Sequence, residues 1–171
     1  MKKTVIGVMG PGASATDQDL KYAFELGRLI AGEGWVLLSG GRDEGVMDAV
    51  NKGAKAAGGL TIGIIPTADD RDTSEAVDVS IITGMGSARN NINVLSSTVV
   101  IACGMGEGTA SEVALALKAK KKVILLTDSQ KSKDFFSELS GSRVYIVETP
   151  EQAIAVCQSI VASSVTASER Y

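Results

Sequence analysis

Three times in this sequence a short apolar run ends in a glycine-rich loop that opens directly into a helical pattern. The loops read Gly7-Val8-Met9-Gly10-Pro11-Gly12-Ala13-Ser14, Ser39-Gly40-Gly41-Arg42-Asp43-Glu44-Gly45-Val46-Met47 and Cys103-Gly104-Met105-Gly106-Glu107-Gly108-Thr109. A strand, a tight turn and a helix, repeated, is the pattern of a parallel sheet joined by crossover helices. A fourth stretch, Thr83-Gly84-Met85-Gly86-Ser87-Ala88-Arg89-Asn90-Asn91, has the same form.

Read along the chain, strands are expected at 4–9, 35–39, 60–65, 77–83, 99–103, 123–127 and 144–147. Helices are expected at 17–32, 44–57, 89–96, 109–119, 132–139 and 150–161. The first helix carries Leu20, Ala23, Phe24, Leu26, Gly27, Leu29 and Ile30 as an apolar stripe, with Thr16 or Asp17 as its cap. Gly58-Gly59 stops the second helix, and Pro150 suits the first turn of the last. Residues 66–75 are polar and read as an exposed loop. The strands are nearly continuous apolar runs, as a sheet covered on both faces requires. The fold class is therefore α/β: one doubly wound, mainly parallel sheet with helices on both faces. It occupies residues 1–162, and a polar tail at 163–171 is expected to fray.

Composition narrows the chemistry. The chain has 171 residues and no histidine, which removes the Ser-His-Asp triad and histidine-based metal centres. Its two cysteines, Cys103 and Cys157, cannot form a four-cysteine site and give no disulfide signature. A net charge of −3 and an aromatic content of 4% do not suit a nucleic-acid surface. The apolar run behind Met1-Lys2-Lys3-Thr4 is too short for a signal peptide, and no run is long enough to span a membrane. A cytoplasmic protein is expected.

In such a sheet, ligands bind beyond the carboxyl ends of the strands. The candidates there are Gly10, Pro11, Gly12 and Ser14; Gly40, Gly41, Arg42, Gly45 and Met47; and Gly104, Met105, Gly106, Gly108 and Thr109. Backbone N–H groups at a helix N-terminus favour an anion such as phosphate. Any one loop is better explained by the steric need of a tight turn; three at one edge favour a phosphorylated ligand. None has the P-loop or dinucleotide spacing. The fourth stretch adds Gly86, Ser87, Arg89 and Asn90. An arginine at a positive helix end is misplaced unless it meets a bound anion or a carboxylate. Glu112, in the first turn of its helix, is explained by the helix dipole alone. Lys118, Lys120, Lys121 and Lys122 read as a solvated face, and Cys103 as a buried strand end. The helix over 112–117 is apolar on nearly every side, so a homo-oligomer interface is expected there.

The run Gly104-Met105-Gly106-Glu107-Gly108-Thr109-Ala110-Ser111-Glu112 resembles the Pro-Gly-Gly-x-Gly-Thr-x-x-Glu motif of the Rossmann-like, lysine decarboxylase-like family. That family includes the Lonely Guy cytokinin-activating phosphoribohydrolases. The Gly-Thr-x-x-Glu half is intact; Gly104-Met105 stands in place of Pro-Gly, and Ala88-Arg89-Asn90 in place of Glu-Arg-Lys. By that resemblance, Arg89 and Glu112 would be a catalytic pair. A longer resemblance covers nearly the whole chain. It is carried by Ile6-Gly7-Val8-Met9-Gly10-Pro11-Gly12, by Gly40-Gly41-Arg42 with Gly45-Val46-Met47, and by Gly84-x-Gly86-Ser87-Ala88-Arg89-x-Asn91-Ile92-Asn93. Gly104-Met105-Gly106-x-Gly108-Thr109 and Val113-Ala114-Leu115-Ala116-Leu117-Lys118-Ala119-Lys120-Lys121 extend it. These blocks are similar to the molybdenum cofactor carrier proteins of green algae and their bacterial relatives.

The resemblance implies a Rossmann-like homotetramer that binds, protects and transfers molybdenum cofactor (molybdopterin) without turning it over. Molybdoenzymes or cofactor-synthesis proteins would be its partners, and molybdate or tungstate further oxyanion ligands. The glycine-loop residues named above, with Arg89 and Glu112, would form the cradle, and no side chain would hold a metal. Two other readings stand beside it: a nucleoside 5′-monophosphate phosphoribohydrolase acting through Arg89 and Glu112, and a nucleotide-sensing module. Lysine decarboxylation is not expected, because no histidine is present to stack on pyridoxal phosphate and no Schiff-base lysine is recognisable.

Overall fold

The computed structural model describes residues 3–168, with side chains as far as Ser163. Among the described residues there are seven strands: β1 (Val5–Met9), β2 (Val36–Ser39), β3 (Thr61–Ile65), β4 (Val79–Ile82), β5 (Val99–Cys103), β6 (Val123–Leu126) and β7 (Val144–Val147). Six α-helices alternate with them: α1 (Asp17–Gly32), α2 (Gly45–Ala56), α3 (Asn90–Ser96), α4 (Glu107–Lys118), α5 (Gln130–Ser140) and α6 (Pro150–Ser168). The strands form one sheet in the order β4-β3-β2-β1-β5-β6-β7, and every neighbouring pair is parallel. The chain works outward from β1 to β4, then returns to lay β5 on the other side of β1. The strand order reverses at that point, which places a crevice beyond the ends of β1 and β5.

Two apolar layers cover the sheet. On one face α1, α2 and α6 bring Leu26, Ile30, Val50 and Ile154 onto Ile6, Leu37 and Ile101. On the other, α3, α4 and α5 bring Val94, Val113, Ala116 and Phe136 onto Val100, Leu125 and Ile64. Thr16 caps α1 in a reciprocal box with Asp19, which settles the choice between Thr16 and Asp17. The α1–α2 crossing depends on two glycines. A methyl group on Gly27 would meet the backbone of Val50 and Ala54, and one on Gly53 the backbone of Phe24. The two helices therefore touch backbone to backbone and hold the loops at their N-terminal ends in fixed register.

Several elements depart from the sequence reading. β4 is exposed along its whole length instead of being covered on both faces. The β3–β4 connection is a loop and not a helix, so no crossover element is supplied to cover this edge. That loop, 66–75, is less free than expected: Arg42 bridges Thr73, Ser74 N–H donates to the Gly41 carbonyl, and the buried Ser74 hydroxyl donates to Asp48. It is a strap over the β2–α2 turn. Residues 89–96 are a 3₁₀ turn, Gly86–Arg89, running into α3. α4 starts at Glu107, two residues earlier than expected, because Gly108 is helical while extended Gly106 is the cap. Lys121 is not part of a solvated face; its ammonium group donates to the carbonyls of Leu95 and Ser97 at the end of α3. α6 continues to Ser168, beyond the expected end at 161, since no glycine or proline follows Pro150 to stop it. Residues 169–171 of the expected tail lie outside the described residues.

Candidate functional site

The loops after β1, β2 and β5 converge at the reversal point around a cleft of about 280 Å³. The first loop lines it with Gly10, Pro11, Gly12 and Ser14, and the second with Gly40, Arg42 and Met47. Arg89 and Asn90 enter from the start of α3. The third loop and the first turns of α4 contribute Gly106, Gly108, Thr109 and Glu112. Met9, Ala13, Glu44 and Glu107, which stand in the same glycine loops but were not among the expected site residues, also line it.

Six expected site residues lie off the cleft, and five of them have a structural task instead. Gly41 (φ +74°) packs on Gly63 and Ile65 of β3, and its N–H donates to the Ser39 hydroxyl. Gly45 (φ +58°) packs against the backbone of Pro11 and Gly12. Gly86 donates its N–H to the Pro66 carbonyl, and Ser87 faces outward. Gly104 donates to the Leu126 carbonyl and lies against Asp19. Met105 packs on the layer of α3, α4 and α5.

The helix ends at the cleft are not equivalent. At α2 the Val46 N–H is taken by the Pro11 carbonyl, 3.0 Å away, so the first glycine loop occupies the start of that helix. At α4 the cap is Gly106, and no side chain caps the helix. The first helical bond runs from Ala110 N–H to the Gly106 carbonyl, 2.8 Å, so the N–H groups of Glu107, Gly108 and Thr109, residues that line the cleft, have no partner within the helix. Thr109 is buried, and its hydroxyl has no hydrogen-bond partner.

Facing this end is a buried polar cluster. Arg89 is 8% exposed. Its Nη1 donates to Asn90 Oδ1 at 3.3 Å and lies 3.8 Å from Glu112 Oε1, while its Nε has no partner. The guanidinium lies against Gly40, where any side chain would collide with it. Asn90 donates to Ser111 Oγ at 3.0 Å, and Ser111 donates to the Gly108 carbonyl at 2.7 Å, which ties the arginine's neighbour to the α4 turn. The carboxylate partner that Arg89 was expected to need is Glu112. Glu112 is itself buried and accepts from Asn93 Nδ2 at 2.7 Å. Burial raises its pKa to about 7, against the opposing pull of Asn93 and Arg89. Burial likewise lowers the pKa of Arg89, with Glu112 opposing. Asn93, fully buried with its Oδ1 unpartnered, was not among the expected site residues. Its spacing of four from Arg89, one helical turn, was the available signal.

Arg42 and Glu44 form a half-exposed ion pair at 3.7 Å at the cleft. Cys103 is the buried strand end that was expected. Burial, and secondarily the nearby Asp19, drives its thiol pKa far above the usual range. Cys157 is buried in the same apolar layer, under α1, α2 and α6, and its thiol is pushed up to about 12 by burial.

Among solved structures, the molybdenum cofactor binding protein of the phototrophic bacterium Rippkaea orientalis is 59% identical to this chain. The match covers 94% of this chain and 99% of that one, with a TM-score of 0.93. The Moco carrier protein of Chlamydomonas reinhardtii is 51% identical, covering 95% and 99%, with a TM-score of 0.89. The cytokinin riboside 5′-monophosphate phosphoribohydrolase of Mycobacterium tuberculosis is 47% identical over 55 residues, 32% of this chain and 29% of that protein. The resemblance read from the sequence to the carrier proteins is thus borne out over almost the full length. A model of the SLOG cluster4 family matches residues 3–154, and the chain belongs to that family.

Proposed function

We propose that this protein binds, protects and transfers molybdenum cofactor as a non-catalytic carrier. The observation that carries the reading is the cleft's unsatisfied donor set: the uncapped start of α4, the unpartnered Thr109 hydroxyl and the buried Arg89 with its free Nε. Buried donors without partners are costly unless a ligand completes them. The relatives at 59% and 51% identity, a cofactor binding protein and a Moco carrier, support the choice of ligand.

The residues present suit such a cargo. Molybdenum cofactor brings its own metal and dithiolene, and its phosphate needs only an anion cradle. The N–H groups at Gly108 and Thr109, the Thr109 hydroxyl and Arg89 would supply that cradle. Gly10, Gly12 and Gly40 keep the cleft floor free of side chains. Molybdate and tungstate, as dianions, fit the same donors. Glu44 and Glu107 add negative charge at the cleft, so the field is local to α4 and Arg89 rather than spread over the surface.

The working form in this proposal is a homotetramer in the cytoplasm, passing cargo to molybdoenzymes or taking it from cofactor-synthesis proteins. Exposed Val79, Ile81 and Ile82 of β4, with Met85 and Leu95 near them in sequence, support burial against a second copy, as does the open side of α4 at Ala114. Among the described residues, no helix is long and apolar enough to cross a membrane.

Anaerobic titration with molybdenum cofactor, with AMP as control, tests the proposal. Saturable retention near one cofactor per chain, with AMP left intact, is expected. Adenine and ribose 5-phosphate released from AMP, with no cofactor retained, would favour the second reading, a nucleoside 5′-monophosphate phosphoribohydrolase. That reading is supported by Arg89 and Glu112 lying 3.8 Å apart in the cleft and by the short match to the mycobacterial enzyme.

A further inference from the structure

Glu112 is an uncommon group to find in an anion site. A carboxylate there repels the ligand, yet this one lies in the cleft wall beside the arginine that attracts it. Its surroundings are specific. Asn93 Nδ2 of α3 holds Oε1 at 2.7 Å, and the second oxygen takes no hydrogen bond from the described residues. Arg89, from the 3₁₀ turn, stays 3.8 Å away, too far for a hydrogen bond, and donates instead to Asn90. The loop after β2 contributes Arg42 and Glu44 to the cleft, already paired with each other, and α4 contributes Glu107. Glu112 is thus 6% exposed, is only loosely balanced by one cation, and shares its cleft with two other carboxylates.

We infer that an oxyanion seating beside Arg89 draws one proton from solvent onto Glu112, so that loading and release of the ligand are linked to pH. The inference rests on the anion-cradle part of the carrier reading. The incoming anion competes for Arg89 and adds negative charge next to Glu112, and both effects favour the neutral acid. The proton bonds to the free carboxyl oxygen, which turns from a repelling acceptor into an O–H donor toward the ligand. On release the same proton returns to solvent, so nothing is oxidised or reduced and no other bond changes. The protonation range of Glu112, about 7, places the event near neutrality. No imidazole masks it, because the chain has no histidine.

Linkage sets the sign: affinity is greatest where free Glu112 is already protonated and falls as pH rises through its range. Molybdate is the probe, since it remains a dianion throughout that range. In calorimetric titrations the affinity of the intact protein is expected to fall about tenfold between roughly pH 6 and pH 8. Repeating the titration near pH 7.5 in two buffers of different ionisation heat is expected to show uptake of up to about one proton per molybdate. Glu112→Gln, which copies the neutral acid, is expected to bind with no pH slope and no proton uptake. If that variant does not fold, the two-buffer result on the unaltered protein decides alone. Absence of proton uptake, an unchanged slope in folded Glu112→Gln, or failure of molybdate to bind near pH 6 would each overturn the inference. Cofactor bound without proton uptake would sink the inference and leave the carrier reading standing. Molybdate bound with proton uptake but cofactor never retained would do the reverse.

Discussion

The starts of α2 and α4 are nearly indistinguishable as sequence. Each follows a buried strand, each is rich in glycine, and neither helix has a side-chain cap. In the folded molecule they are opposites. The α2 end is closed by the first glycine loop, whose Pro11 carbonyl accepts from Val46, and Gly45 is wedged against the backbone of Pro11 and Gly12. The α4 end is open: Gly108 has nothing within 4 Å of where a side chain would begin, and the Thr109 hydroxyl has no partner. One glycine turn is a joint and the other is left open to the cleft. The difference lies in which loop the topology places on top, not in the turn itself.

The contrast can be broken by mutation. Gly45→Ala should be the most damaging change, because a left-handed φ and a backbone collision coincide there; a loss of about 2–4 kcal/mol is expected in thermal unfolding. Glu112→Gln should act in the opposite direction. In the folded protein Glu112 holds a proton that the unfolded chain releases above its ordinary 4.5, so wild-type stability falls as pH rises from 4.5 to about 7 and then levels off. The Gln variant should escape that loss and be more stable at alkaline pH by up to about 3 kcal/mol, while matching wild type at acid pH. Denaturant titrations across this range would show either a widening gap or parallel curves, and parallel curves would disprove the assignment.

Smaller effects sharpen the open side. Arg89→Ala should weaken oxyanion binding by about 10–100-fold through loss of charge-assisted hydrogen bonds, with AMP and molybdate both affected. Thr109→Val should cost binding about fivefold while leaving the melting temperature unchanged or raised, since a buried unpaired hydroxyl disappears. Gly108→Ala should stabilise α4 by about 0.5–1 kcal/mol and obstruct the ligand; unchanged binding in that variant would place the anion elsewhere.

The periodicity of the chain showed the sheet, its helices and the edge at which the cleft opens. β5 and β7 fall where the apolar runs put them, and the carboxylate needed by Arg89 is present. What local pattern could not show was non-local. Exposure of β4 follows from the helix missing in the β3–β4 connection before it, and the bonds of Lys121 to the end of α3 join residues 24 and 26 positions apart. Gly41, Gly45 and Gly104 looked like ligand-facing glycines because sequence reveals a need for small size without revealing what presses against it. In each case the neighbour is protein: β3, the first loop, and Asp19. Asn93 closes one of the blocks shared with the carrier proteins, but its role was not legible there: only the packing of α3 on α4 makes it the partner of Glu112.

The state of the two sulfurs has a consequence for trafficking. Cys103 and Cys157 are buried, and both are held as thiols well above neutral pH. A thiol is a poor metal ligand and a poor nucleophile compared with a thiolate. For a cargo whose metal is gripped by two sulfurs of its own, a host thiolate would be a rival chelator and a route to mixed disulfides. This chain offers none, so a guest of that kind would enter and leave without exchanging a single sulfur bond with its host.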